Sequence, residues 1–142
     1  MPEARGASGF FLMPSIIVHV NADPLSTPAH LSAIRFFLAC QAEKLDVPMV
    51  FFSGDAVRIA ISPTVPRSTA DDLANQWAKI AARSNTQLSV CTSAAVRRGV
   101  IPPDEAEVRQ WHSNWHPAFY AGSLADLSQM LAEGAKLIRF GA

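Results

Sequence analysis

Cysteine is scarce in this 142-residue chain: there are two, Cys40 and Cys91, too few for the disulfide framework of a small secreted domain. Charge is also scarce, at 17% of residues, and twelve Lys and Arg cancel twelve Asp and Glu. Without a basic stripe nothing neutralises a phosphate backbone, so no direct nucleic-acid partner is expected. Long apolar runs are absent. The stretch 9–13, after a small and polar leader, is too short for a signal core or a membrane span. Glycine is missing where nucleotides need it, because the first strand-like run ends in Asn21-Ala22-Asp23-Pro24. No flavin, nucleotide or other cofactor is therefore expected. Neither a Gly-x-Ser-x-Gly elbow nor a paired-carboxylate constellation occurs. The chain reads as cytoplasmic, with no membrane partner.

What the chain has in plenty is apolar residues, 49% of the total. One domain of this length buries most of its apolar surface, and the surplus points to a large core or an oligomer face. Residues 1–13 are expected to form a flexible N-terminal extension, with Met13-Pro14 a candidate for the natural beginning, and 14–142 a single domain.

Taken in order, the β-branched run Ser15 to Asn21 reads as a strand buried on both faces. Ser26 or Thr27, with Pro28 in the first turn, opens a helix carrying Leu31, Ile34, Phe37, Leu38 and Leu45 and ending near Asp46. Val47 to Phe52 is a second buried strand, and Ala56 to Ile61 reads as a short extension or a loop. Ser68 is expected to cap a second helix with Leu73, Trp77, Ile80 and Ala81 on one face. A third strand ends at Cys91, a short helix begins near Asp104, and Phe119 to Gly122 forms a brief fourth strand. Ser123 caps a last helix running to Gly134, and Lys136 to Phe140 closes the sheet. Strands alternating with helices imply right-handed crossovers. The expected fold is an α/β three-layer sandwich with a mainly parallel sheet of about five strands, flavodoxin-like in architecture.

The chemistry centres on Gln87 to Val100. Leu88 and Val90 mark a strand that ends at Cys91; Thr92, Ser93, Ala94, Ala95 and Val96 then open a helix that stops at Gly99. Cys91 thus falls at a strand-to-helix switch, where free N–H groups and the helix dipole favour a negative charge on sulfur. Ligands of open parallel sheets bind beyond the carboxyl ends of the strands, which is where this residue lies. On the residues alone, a reactive thiol and a packed structural one stand level. Cys40, amid Phe36, Phe37, Leu38 and Ala39, reads as core.

Cys91 followed by Ala94-Ala95 and Arg97-Arg98-Gly99-Val100 resembles the active-cysteine segment of the DsrE-like sulfur-relay family, of the TusD/DsrE-type sulfurtransferase subunits in particular. Element order and spacing extend the likeness from Ser15 to Phe140. The resemblance tips Cys91 toward the reactive reading. It implies a DsrE-like fold and a cysteine that accepts sulfane sulfur as a persulfide and relays it to a partner protein's cysteine. It further implies a homo- or hetero-oligomer of related subunits, small sulfur-carrier proteins as donor and acceptor, and an output in tRNA 2-thiouridine synthesis or sulfur oxidation. The alternative is a non-catalytic assembly subunit in which Cys91 only packs.

Other residues compete for a role. His112 and His116 stand four apart and would share a helix face, a spacing suited to a metal, yet Pro117 ends any helix and no acidic ligand accompanies them. No metal is expected. Trp111 and Trp115 are read instead as an apolar wall or partner contact beside Cys91, with His112, His116, Thr92, Ser93 and Asp23 as further pocket or partner residues. His19 and Asp23 either line the edge that carries Cys91 or are ordinary polar groups at a strand end. Arg97 and Arg98 lie roughly 9–10 Å along the helix axis from Cys91, and are assigned to helix ending or subunit contact.

Overall fold

The computed structural model describes residues 14–141; the expected leader 1–13 lies outside them. Five strands form one sheet: β1 (Ile16–Val20), β2 (Met49–Phe52), β3 (Gln87–Cys91), β4 (Tyr120–Gly122) and β5 (Lys136–Phe140). All four pairings are parallel, in the order β4-β3-β2-β1-β5. The helices are α1 (Ala29–Ala42), α2 (Leu73–Arg83), α3 (Thr92–Arg97), α4 (Pro103–Arg109) and α5 (Leu124–Ala132).

This strand order dictates the layering. From β1 to β4 the chain steps in one direction, and right-handed crossovers taken in one direction place their helices on one face. Phe52 and Phe140 mark that face: Phe52 meets His30 of α1 and Trp77 of α2, and Phe140 meets Phe36 of α1. The return from β4 to β5 reverses direction and puts α5 on the opposite face, beside Met49, Gln87 and Tyr120. Alternation along β3 then turns Ser89 and Cys91 toward the α5 side.

The core is continuous: Ile17, Val18, Val20, Phe37, Val50, Phe51, Phe52, Val57, Trp77 and Val90 have no exposed surface. Inside it His30 is held on both sides. Trp77 Nε1 donates to His30 Nδ1 at 3.2 Å, so His30 Nε2 donates to Ala22 O at 2.9 Å. Burial pushes the His30 pKa below its usual value, more strongly than the Ala22 bond and Asp23 raise it.

Several boundaries differ from expectation. α1 has Pro28 at its cap position with no side-chain cap bond, so neither Ser26 nor Thr27 caps it; it stops at Ala42, and Asp46 accepts a 2.7 Å bond from Ser15 Oγ, just before β1. Residues Gly54–Ala60 form a 3₁₀ helix rather than an extension or a loop. Its Ala56, Val57, Ile59 and Ala60 are all buried, and the tighter three-residue turn brings four apolar side chains inward within seven residues. Ser68 does not cap α2: a 3₁₀ turn, Thr69–Asp71, intervenes, and Asp72 is the cap, accepting from Asn75 N at 3.3 Å. Ser123 caps α5 as expected, accepting from Asp126 N at 3.3 Å. No helix among the described residues is long and apolar enough to cross a membrane.

Candidate functional site

Cys91 is both the last residue of β3 and the residue that opens α3. Its neighbour on β4 is Gly122, and the junction is tied by Thr92 Oγ1, which donates to Gly122 O at 2.9 Å. A side chain at position 122 would overlap Ser89 Oγ, so glycine is what lets β4 approach β3 closely beside the cysteine. Cys91 as a residue is 6% exposed, and its Sγ stands 3.5 Å from Ser93 Oγ.

Cys91 looks into an open cleft of about 480 Å³. Thr92, Ser93, Val96 and Arg97 of α3 line it, together with Glu105 and Arg109 of α4 and Gly122, Ser123 and Leu124. Arg109 is held from two sides: its Nε donates to Glu105 Oε1 at 3.0 Å, and its guanidinium lies over the Trp111 ring at 5.1 Å. The Arg97 guanidinium is exposed and makes no hydrogen bond or ion pair with any described residue. Arg98 turns the other way, donating to Asp55 Oδ1 at 2.9 Å and to Ala94 O at 3.1 Å, which fastens α3 to the 3₁₀ helix.

Of the residues singled out in the sequence, the cleft gathers Cys91, Thr92 and Ser93. Trp111 is 49% exposed and reaches the cleft only through Arg109. Trp115 turns inward: it bridges Ile61, packs on the core, and its Nε1 donates to Phe119 O at 2.8 Å. His116 Nδ1 accepts from Ala118 N at 3.1 Å and its ring stands edge-on to Phe119, whereas His112 is exposed. The segment that carries them is not helical, so His112 and His116 do not share a helix face. Among the described residues no three His, Cys, Asp or Glu side chains are grouped to hold a metal.

Asp23 lies at another place, accepting from Leu25 N at 3.1 Å and pairing with Arg58 at 3.5 Å. His19 shares the sheet face of Cys91 two strands away and does not line the cleft. Its Nε2 is 2.7 Å from Ser53 Oγ, its Nδ1 is buried without a partner among the described residues, and burial, then Arg139, push its pKa down. Cys40 is 2% exposed in the core, and burial pushes its thiol pKa up. Both cysteines are free thiols.

Arg97, Glu105 and Arg109 are the cleft residues that sequence reasoning missed as such. The Glu105–Arg109 spacing, four apart on α4, was a readable signal for an ion pair but not for where it would face. For Arg97, distance along the helix axis alone gives no sign of a shared cleft. Arg97 nonetheless lines the same cleft as Cys91.

The fold and sequence have relatives. A solved structure, that of the ychN protein from E. coli, superposes with a TM-score of 0.71, covering 90% of this chain and 100% of that one at 18% identity. Sulfurtransferase TusD of Serratia proteamaculans is 32% identical over 124 residues, 85% of this chain and 95% of its own. The sulfurtransferase TusD homolog of Aliivibrio fischeri is 30% identical over 122 residues, 85% of this chain and 94% of its own. With the DsrE/DsrF-like family matching residues 15–140, the chain belongs to that family.

Proposed function

We propose that this protein is a sulfur-relay sulfurtransferase that carries sulfane sulfur as a persulfide on Cys91 and yields it to a cysteine of a partner protein. The observation that carries this reading is the placement of Cys91, at the carboxyl end of a central strand and the head of a cleft that an incoming donor or acceptor can enter. Relatives named sulfurtransferase that align over most of both chains support it.

The reaction is thiol–sulfane exchange. Cys91 attacks the outer sulfur of a donor persulfide, the donor's S–S bond breaks, and its thiol leaves with the electron pair; the acceptor thiol then repeats the attack on the persulfide of Cys91. Neither step needs a catalytic triad. Thr92 and Ser93 shape the mouth of the cleft, and Trp111, with His112 beside it on the exposed loop, forms a contact surface for the partner; Trp115 and His116 brace that loop from beneath. Asp23, paired with Arg58 away from the cleft, belongs to a second contact surface. The proposed setting is a cytoplasmic oligomer of related subunits, fed and drained by small sulfur-carrier proteins in tRNA 2-thiolation or sulfur oxidation.

Loading the protein with a persulfide donor, removing the excess and releasing sulfane sulfur with cyanide tests this. Wild type and Cys40→Ser should release about one thiocyanate per chain and Cys91→Ser none; equal release from all three would sink the proposal.

One observation favours a second reading, an assembly subunit whose main product is an interface. The edge strand β5 leaves Leu137 and Ile138 more than a third exposed. Under that reading Cys91→Ser changes neither assembly nor sulfur transfer.

A further inference from the structure

The charges around the Cys91 cleft are unequal in their freedom. Glu105 occupies Arg109, and Trp111 lies under the same guanidinium, so that cation is both balanced and fixed. Arg98, next to Arg97, is bound to Asp55. Arg97 alone brings to the cleft a cation with no anionic partner among the described residues. Summed over Arg97, Arg109 and Glu105, the cleft carries one net positive charge, and its one carboxylate is already taken. A nucleophilic sulfur that shares its cleft with an unpaired guanidinium favours reagents that carry negative charge.

We propose, resting on the carrier reading above, that the cleft admits a small inorganic anion as sulfur donor, of the polysulfide or thiosulfate class, with Arg97 holding its charged end. Cys91, as thiolate, attacks the outer sulfur. A new S–S bond forms at Cys91 while the donor's own S–S bond breaks. The electron pair departs with hydrosulfide from a hydrodisulfide, or with sulfite from thiosulfate, and Cys91 is left as a persulfide anion. The transferred sulfur is already at the sulfane level, so no separate oxidant or reductant enters.

The test compares two alkylating reagents on Cys91 in a Cys40→Ser background. Iodoacetate and iodoacetamide deliver the same carbon with the same leaving group and differ in charge, so the neutral reagent normalises for access to the thiol. Arg97→Gln should lower the iodoacetate-to-iodoacetamide rate ratio about three- to tenfold, the scale of one charge acting through a few ångströms of wet cleft. Arg97→Glu should lower it further, and added salt should shrink both differences. Arg35→Gln, an exposed charge on α1 across the sheet, should leave the ratio as in wild type. Loading of Cys91 by inorganic polysulfide should fall in step with the ratio. A ratio unmoved in Arg97→Gln, with normal sulfur uptake, overturns this inference alone. Failure of wild-type Cys91 to take sulfur from any donor overturns the carrier reading beneath it.

Discussion

Gly122→Ala probes how the site is positioned. Gly122 sits opposite Cys91, and an added Cβ would overlap Ser89 Oγ while standing 3.3 Å from Ser89 Cβ and 3.7 Å from Val90 O. Ser89 is fully buried and its hydroxyl has no hydrogen-bond partner among the described residues, so that oxygen must rotate or the strands must part. Overpacking of this kind costs about 1–3 kcal/mol. At about 2–4 °C per kcal/mol for a chain near this size, the midpoint should drop by roughly 2–12 °C. Ser89→Ala should be close to neutral, since it removes an unsatisfied buried hydroxyl. The double variant should recover most of the loss, a coupling of about 1–2 kcal/mol between the two positions. Thermal and urea unfolding of the four proteins measures the cycle, and the alkylation rate of Cys91 reports whether the cleft widens in Gly122→Ala. Strictly additive losses would refute the claim that close approach of β4 to Ser89 sets the geometry beside Cys91.

Three further outcomes follow from the same contacts. His30 has a folded pKa below its unfolded value, so the unfolded chain takes up the proton first as pH falls; stability is full above about 6.5 and declines below it, by at most about 1.4 kcal/mol per pH unit for each such histidine. His19 acts with the same sign, and urea unfolding at pH 7.5 and 5.5 should show a smaller loss in His30→Gln than in wild type. Asp72→Ala should cost about 1 kcal/mol through the lost cap of α2, whereas Ser68→Ala should change unfolding free energy by less than about 0.5 kcal/mol. In the folded protein iodoacetamide should label Cys91 well before Cys40, whose thiol is deeper and pushed up by burial; equal labelling read by peptide mass would contradict the burial pattern.

The sheet was legible because its strands are runs of β-branched and aromatic residues bounded by turns. Ser15 to Asn21 and Val47 to Phe52 allow no competing helical period, and Cys91 at the end of β3 followed from one such run meeting small residues. Local stops were harder. From Ser68 to Asp72 four residues qualify as caps, and only the 3₁₀ turn at Thr69–Asp71 decides that Asp72 holds the position. The stretch Gly54–Ala60 has apolar residues on every side, so neither a period of two nor one of 3.6 stands out; its conformation follows from being packed against α3 and β3.

The cleft was half legible for a similar reason. Cys91, Thr92 and Ser93 are contiguous, and so they announce themselves together. Arg97, Glu105 and Arg109 join them only because the chain turns back after Gly99, at φ +77°, and runs α4 alongside the cysteine. The doubled Trp-His segment shows the converse. Its two tryptophans look equivalent in sequence, yet Trp115 is claimed by Ile61 and Phe119 while Trp111 is left to Arg109 and solvent.

Intact-protein mass spectrometry after incubation with a sulfane-sulfur donor tests the central claim most directly. Wild type and Cys40→Ser should gain one sulfur, about 32 Da, that a thiol reductant removes, and Cys91→Ser should gain none. No adduct on wild type, or an adduct that survives in Cys91→Ser and disappears in Cys40→Ser, would contradict it.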